Sequence, residues 1–213
     1  PALTSQTDKI DPNDAYGLFW RTCPSDELQG AVLAQNVIGP DVNILRVAVV
    51  YDNDPYGIGL SQAFTTRYGG AADLFPYDVG GDVSGIGAQV ASTNPDAVLI
   101  ISLISSDSIA ILKSLAGAGL SGKKIFFSDG AKDKTALLDP SLSPEVQTMI
   151  KSAQGTVPAR PSGTNYDLFK ATYFKEFAIE ADQYSFVAQT YDAGYVAAYG
   201  VVYAEAKDKA YDG

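Results

Sequence analysis

The sequence contains no histidine and a single cysteine, Cys23. The lack of histidine excludes Ser-His-Asp and Cys-His catalysis, and it excludes any histidine-ligated metal site built by this chain alone. One cysteine cannot form a disulfide framework or a cysteine zinc cluster. Cys23 is interpreted as a small buried hydrophobic residue, or as the partner of a cysteine outside this sequence. We therefore predict no catalytic residues, no metal site and no cofactor.

Basic residues are also scarce, and no apolar run is long. The 15 Lys and Arg residues face 25 Asp and Glu residues, which gives a formal net charge of -10. An acidic surface repels nucleic acid and anionic membranes, so neither is predicted as a partner. A membrane-spanning helix needs about 18 or more consecutive apolar residues, and the sequence has no such run. The 46% hydrophobic content is enough for a well-filled core.

Strand and helix patterns alternate through the middle of the chain. Short apolar, β-branched runs predict three buried strands, and a weaker run with Pro76 in it predicts an edge strand. Helical patterns separate them. The strands are expected at 44–51, 72–79, 96–102 and 123–130, and the helices between them at 59–70, 83–94 and 106–119. This series predicts an α/β fold with a doubly wound, mostly parallel sheet of order 2-1-3-4.

Further helices flank this series. Ser25 and Gly39 are a typical beginning and end for a helix over 24–39, and Ser143 is a typical beginning for another. The segment 153–165 is rich in Gly and Pro, which predicts a loop or a crossing between domains. Two helices then follow, over 166–179 and 186–206. The second is apolar around most of its circumference, so it is predicted to be buried on more than one side.

Polar loops follow the three strong strands, over 52–57, 102–106 and 128–133. In a sheet of order 2-1-3-4 the carboxyl ends of strands 1, 3 and 4 line one crevice, where the strand order reverses. Ligands bind at such crevices in open α/β sheets. The sequence therefore predicts that the three loops converge on a small-molecule site.

The first of these loops, "DNDPYG", is compatible with several uses. Phosphate binding is disfavoured, because the third glycine of G-x-G-x-x-G is missing and two acids would repel the phosphate. Calcium binding is disfavoured, because Tyr56 and Ala63 occupy the fifth and twelfth positions of the calcium loop. Asp52 and Asp54 remain open between turn formation and ligand contact. Tyr56 offers a ring and a hydroxyl, which suits a small ligand with apolar and polar parts.

Six segments in order resemble a known family: "FWRTCPSDELQG", "VAVVYDNDPYGIGL", "AVLIISLISSD", "IFFSDG", "GTVP" and "QTYDAGYVAA". They resemble type I periplasmic solute-binding proteins of the leucine/isoleucine/valine-binding class. The resemblance implies two α/β lobes joined by three crossings, which close on the ligand like a hinge. It implies an extracytoplasmic receptor, not an enzyme, that delivers an amino acid or similar small polar solute to the membrane permease of an ABC importer.

The resemblance also implies roles for individual residues. Tyr56 would contact the ligand, the residues after the third strand, around 102–105, would line the pocket, and Asp129 would take the ligand's ammonium group. No basic residue in the three loops is expected to compensate Asp129, which favours a cationic or ammonium-bearing solute. Tyr191 and Asp192 would lie in the other lobe, near the hinge. The implied ligand-binding residues are Tyr56, Ser102, Leu103, Ser105, Asp129, Gly130, Tyr191 and Asp192.

Against that family pattern the chain is expected to be incomplete. Residues 1–22 would be a first-lobe remnant and crossing, 23–157 the second lobe, and 158–213 a crossing and helices of the first lobe. The 186–207 helix would then lack its natural sheet, and its tyrosine-rich face would form a dimer contact or promote aggregation. The expected location is periplasmic or otherwise extracytoplasmic, with a lipid anchor on a missing N-terminus as one arrangement.

Two other functions stay open at this point. One is a ligand-sensing ectodomain of a signalling receptor with the same fold, which the sequence does not separate from a transport receptor. The other is a hydrolase on an α/β sheet, with a carboxylate pair drawn from four loop acids. Those acids are Asp52, Asp54, Asp129 and Asp133.

Overall fold

The computed structural model describes residues 21–39, 41 and 43–207. The described residues divide into two compact units. The first covers 25–157, and the second combines 21–24 with 158–207. The expectations that concern residues 1–20 lie outside the described part of the chain.

The first unit is built on a parallel sheet of five strands in the order β2-β1-β3-β4-β5. The strands are β1 (Arg46–Asp52), β2 (Ala71–Tyr77), β3 (Ala97–Ile101), β4 (Lys124–Phe127) and β5 (Gln154–Gly155). The predicted order of the first four strands is confirmed, with β2 and its Pro76 at an edge. The fifth strand lies inside the segment predicted as a loop. It is only two residues long, which is too short for a periodic hydrophobic pattern.

Helices connect the strands. They are α1 (Asp26–Val32), α2 (Pro55–Arg67), α3 (Ile86–Ser92), α4 (Ser105–Gly117), α5 (Lys134–Leu137) and α6 (Pro144–Ser152). A π-helical stretch, Leu33–Ile38, extends α1, and a 3-10 turn, Asp129–Ala131, follows β4. Ser25 and Ser143 cap α1 and α6 as predicted. The short α5 was not predicted.

The beginning of α2 corrects the interpretation of the "DNDPYG" loop. The helix begins at Pro55, not at residue 59, so Tyr56 and Gly57 belong to its first turn. Asp54 is the N-cap, and its Oδ1 accepts a hydrogen bond of 2.7 Å from the Gly57 amide. Proline is favoured in the first turn of a helix, because its missing N–H would have no partner there. Of the two roles left open for Asp54, the structure shows the local one, because Asp54 caps the helix.

Two hydrophobic clusters cover the two faces of the sheet, which is the doubly wound arrangement that the alternating pattern predicts. One face packs against α3, α4 and α6, with Val50, Val98 and Leu112 among its fully buried side chains. The other packs against α2 and the π-helical stretch, with Phe64 and Leu99 fully buried. All five residues of β3 are buried, as expected for the central strand of such a sheet.

The second unit contains α7 (Thr164–Phe177) and α8 (Val187–Ala206). The Phe169 ring lies 4.8 Å from the Tyr191 ring, so the two helices pack through aromatic side chains. The Tyr166 hydroxyl donates a 2.6 Å hydrogen bond to Asp182. Partial burial, and then that carboxylate, raise the pKa of Tyr166 to about 12.

The prediction that α8 is buried on more than one side is wrong for this structure. Its single buried residue is Ala188, whereas the Tyr199 side chain is 67% exposed. The described part of the second unit contains no strand, so the helix has no sheet to pack on. Within 21–39, 41 and 43–207, no helix combines the length and the apolar character needed to cross a bilayer.

Candidate ligand-binding site

A cluster of polar side chains lies at the carboxyl edge of the sheet in the first unit. The Tyr56 hydroxyl donates a 3.1 Å hydrogen bond to Asp129 Oδ1. Tyr56 stands in the first turn after β1, and Asp129 opens the 3-10 turn after β4. Because β3 separates these two strands in the sheet, the contact spans the crevice that the predicted strand order places there.

Two residues that the sequence did not single out complete the cluster. Gln29 Nε2 donates to Asp129 Oδ1 at 2.7 Å and to Thr156 Oγ1 at 3.0 Å. Gln29 comes from α1, and Thr156 directly follows β5. Both lie in the segments "DELQG" and "GTVP" that carry the family resemblance, which was the one signal available for them. Their meeting depends on how α1 packs and on the short β5, neither of which a hydrophobic pattern determines.

Burial sets the electrostatics of this cluster. Asp129 is 5% exposed, although it comes from a polar loop. Burial and the neighbouring Asp129 carboxylate raise the pKa of the half-buried Tyr56, so the phenol keeps its proton and remains a hydrogen-bond donor. Ser128 lies near the same phenol, and its Oγ is buried without a hydrogen-bond partner. The arrangement offers a carboxylate, a phenol, an amide and two hydroxyls, which suits recognition of a small polar molecule.

The loop after β3 presents its residues in different ways. Ser102 is fully buried, and its hydroxyl pairs with the Ser108 hydroxyl at the start of α4. Leu103 is 51% exposed, and its backbone amide donates to Asp52 Oδ2. The Ser105 hydroxyl donates to Asp133 at 3.3 Å. Of the three predicted lining residues, Leu103 therefore has the most accessible side chain, and their contact with a ligand stays a prediction.

The remaining predicted ligand-binding residues lie in two different parts of the chain, with Gly130 in the first unit and Tyr191 and Asp192 in the second. Gly130 lies against the backbone of the loop after β3, because a Cβ added to it would come 2.0 Å from the Ser102 carbonyl oxygen. Tyr191 and Asp192 belong to α8 in the second unit, and both are exposed. Their participation in a ligand site stays a prediction.

One expectation about charge needs correction. Lys132 lies in the same loop as Asp129, so the expectation of no basic residue in these loops is wrong. Lys132 lines a cavity of about 230 Å³ beside β4 and β5, together with Ser128, Thr156 and Val157. The charge argument for a cationic solute therefore does not hold, because a basic side chain lies in the same loop as Asp129.

The four loop acids considered for hydrolysis have separate roles. Asp54 caps α2, Asp133 caps α5, Asp129 accepts from Tyr56 and Gln29, and Asp52 accepts from the Leu103 amide. Each of the four thus has its own hydrogen-bond contacts, and none of these contacts pairs two carboxylates. Among the residues that the structure describes, no group of three or more Cys, Asp or Glu side chains is placed to hold a metal ion.

Comparison with solved structures identifies the fold. A leucine binding protein from Thermotoga maritima superposes with a TM-score of 0.61 at 24% identity, over 82% of this chain and 49% of that one. A branched-chain amino acid transporter substrate binding protein from Streptococcus pneumoniae, in complex with isoleucine, gives 0.59 at 19% identity, over 79% and 47%. A solute binding protein of an ABC transporter from Rhodopseudomonas palustris, in complex with 3,4-dihydroxybenzoic acid, gives 0.51 at 22%, over 78% and 44%.

The chain has the type I periplasmic-binding fold. No protein-family model matches its sequence, and no curated protein sequence matches it. The chain spans about half the length of the solved structures it matches. The three proteins are named as binding proteins and not as enzymes.

In a type I periplasmic-binding fold the described cluster lies where α/β sheets bind their ligands. Tyr56 and Asp129 follow the carboxyl ends of β1 and β4, on either side of the central β3. The sequence predicted that these two residues converge, because each lies in the loop region after a strongly patterned strand. Gln29 and Thr156 join the same cluster from elements with weak patterns.

Proposed function

We propose that this chain is part of an extracytoplasmic solute-binding receptor that captures an amino acid, or a similar small polar solute, for an ABC importer. The observation that supports it best is the buried Asp129 carboxylate, reached by Tyr56 and Gln29 at the carboxyl edge of the sheet. The similar leucine binding protein, and the branched-chain amino acid transporter substrate binding protein in complex with isoleucine, support the amino acid class. The dihydroxybenzoate complex shows that this fold also takes aromatic acids.

The chemistry of the cluster suits an ammonium group. A buried carboxylate is costly unless charged or polar donors reach it, and an ammonium group would supply three N–H donors. Hydrogen bonds between two charged groups are about twice as strong as those between neutral ones. The Gln29 carboxamide supplies a neutral donor to the same oxygen, so an incoming ammonium group would compete with it or share Asp129 with it.

Capture would depend on differential binding to two states. A solute that touches both lobes of such a receptor stabilises the closed arrangement relative to the open one. Closure is then the signal that a membrane permease partner reads. In this proposal the protein acts outside the cytoplasm, and it binds its solute without changing it.

We also propose that the aromatic side of α8 contacts a second copy of the chain. The observation behind this is the exposure of a row of large side chains along one helix. The row consists of Tyr191, Tyr195, Val196, Tyr199, Val202 and Tyr203, which are 46 to 67% exposed. Continuous apolar surface of this kind is typical of protein interfaces.

A thermal-shift screen tests the solute class. The panel consists of L-leucine, L-isoleucine and other amino acids, 3,4-dihydroxybenzoate, short amides, spermidine and glucose. A compound that binds the folded state raises the melting temperature as its concentration increases. We expect at least one amino acid to do so, and spermidine and glucose to have no effect.

Two conservative variants then test the site. Asp129→Asn and Tyr56→Phe each remove one polar function without removing the side chain, so each is expected to weaken the best amino acid about ten- to a hundredfold. Glu145→Gln is the matched control for loss of one negative charge, because Glu145 is exposed on α6. Equal affinities of Asp129→Asn and Glu145→Gln would contradict the site. A panel without any stabilising amino acid would contradict the solute class.

A further inference from the structure

Asp52 is a fully buried carboxylate in the first unit. It is the last residue of β1, and its Oδ2 accepts a hydrogen bond from the Leu103 amide. Its other oxygen, Oδ1, is buried without a hydrogen-bond partner. A buried carboxylate with only one hydrogen-bond donor is costly, so the Leu103 amide is the contact that stabilises its charge.

The groups around Asp52 do not neutralise it. Asp54 from the start of α2 and Asp107 from the first turn of α4 both repel its charge. Tyr77, its register partner at the end of β2, approaches with a buried hydroxyl that has no hydrogen bond of normal geometry. Among the described residues no Lys or Arg forms an ion pair with Asp52 or Asp107.

The Leu103 amide lies in the short connection between β3 and α4. Leu103 and Ile104 connect β3 to α4, and both side chains are exposed, at 51% and 39%. Exposed side chains contribute little packing to hold the loop. The hydrogen bond from the Leu103 amide to Asp52 ties the end of β3 to the end of β1, and it restrains this connection beside the Ser102–Ser108 hydroxyl pair and the packing of Gly130.

We propose that Asp52 is a positioning residue, whose carboxylate fixes the backbone of the loop 102–104 through the Leu103 amide. The consequence for ligand contact by Leu103 rests on the proposed function, but the restraint itself does not. The charged carboxylate is the stronger acceptor, so protonation of Asp52 weakens the restraint on the loop.

The direction of the pH effect follows from burial. Burial raises the pKa of Asp52 above its usual value, and this exceeds the lowering by Tyr77 and by the Leu103 amide. The native state therefore holds this proton more tightly than the unfolded chain does. Its contribution to stability is largest at low pH and falls as pH rises through the unfolded and then the folded pKa. The restraint on Leu103 strengthens over the same range, because the carboxylate gains its charge.

Amide NMR of the ligand-free, 15N-labelled protein tests the restraint directly. The Leu103 amide proton is followed from about pH 3 to about pH 8, and its hydrogen exchange is compared among variants at one pH. Wild type should show a titration of the Leu103 shift with its midpoint above the usual aspartate pKa. Asp52→Asn should keep exchange within about threefold of wild type but lose the titration, because its amide oxygen still accepts. Asp52→Ala should speed Leu103 exchange about tenfold or more.

Tyr77→Phe is the matched control. It removes the hydroxyl that favours the charged form of Asp52, so the Leu103 midpoint should move to higher pH while the restraint persists. A Leu103 shift that does not respond to pH in wild type would overturn the proposal. So would a titration that survives in Asp52→Asn, which remains informative if Asp52→Ala fails to fold. No ligand is present, so these outcomes are independent of the solute screen.

Discussion

At the scale of single residues, Gly130 lets the loop after β4 approach the loop after β3 closely, because it has no side chain. A Cβ at this position would lie 2.0 Å from the Ser102 carbonyl oxygen, which is backbone and cannot rotate away. We expect Gly130→Ala to lower the free energy of unfolding by about 1–3 kcal/mol, the usual range for overpacking. Urea denaturation measures the change. Gly122→Ala is the control, because a Cβ there meets no atom within 4 Å, and equal losses in the two variants would contradict this explanation.

At the scale of residues, the sequence predicted that Tyr56 and Asp129 converge, but it did not predict that Gln29 and Thr156 join them. Tyr56 and Asp129 lie shortly after strongly patterned strands, so their convergence followed from the strand order. Gln29 lies on a helix whose packing position no local pattern encodes. Thr156 follows a strand of two residues, which has no period to detect. Asp52 was left between two roles, because burial of a carboxylate at the end of a strand is a tertiary property.

At the scale of elements, Asp96 ties the beginnings of two strands together. Its Oδ2 accepts hydrogen bonds of 2.9 Å from the amide of Leu45, which precedes β1, and from the amide of Arg46, which begins it, while Asp96 itself immediately precedes β3. These two bonds hold the pKa of Asp96 below its usual value. Its charged form therefore contributes stability above the unfolded pKa of about 3.9, and this contribution is lost as pH falls through the folded pKa.

The corresponding variant is Asp96→Asn, which keeps an acceptor but loses the charge. We expect it to be less stable than wild type near pH 7, with a difference that shrinks as pH falls below about 4. Urea unfolding at several pH values measures this difference. A difference that stays constant with pH would show that the charge of Asp96 does not strengthen the link between β1 and β3.

Among the elements, strands were predicted better than boundaries. The four patterned strands and their order are confirmed, since buried β-branched runs leave few alternatives. The start of α2 was placed late, because Asp54 and Pro55 suit a turn and also suit a helix N-terminus. The predicted burial of α8 was wrong, because an apolar pattern indicates that a helix can pack against other elements but not that such elements are present.

At the scale of the whole molecule, the exposed side of α8 predicts self-association. Replacing Tyr199 and Val202 by Lys places two charges in the middle of the aromatic row, so the double variant should stay monomeric where wild type associates. Sedimentation velocity over a range of concentrations measures this. Gln62→Lys, an exposed substitution on α2, is the control. A wild-type protein that sediments as a monomer at all concentrations would exclude a contact through α8.

The central claim is that Asp129 recognises the ammonium group of an amino acid. The most direct measurement is calorimetric titration of wild type and Asp129→Asn with the amino acid that gives the largest thermal shift, and with its analogue lacking the amino group. Wild type should prefer the amino acid by about tenfold or more, and Asp129→Asn should lose most of that preference. The same preference in both proteins would contradict the assignment of Asp129 and, with it, the proposed site.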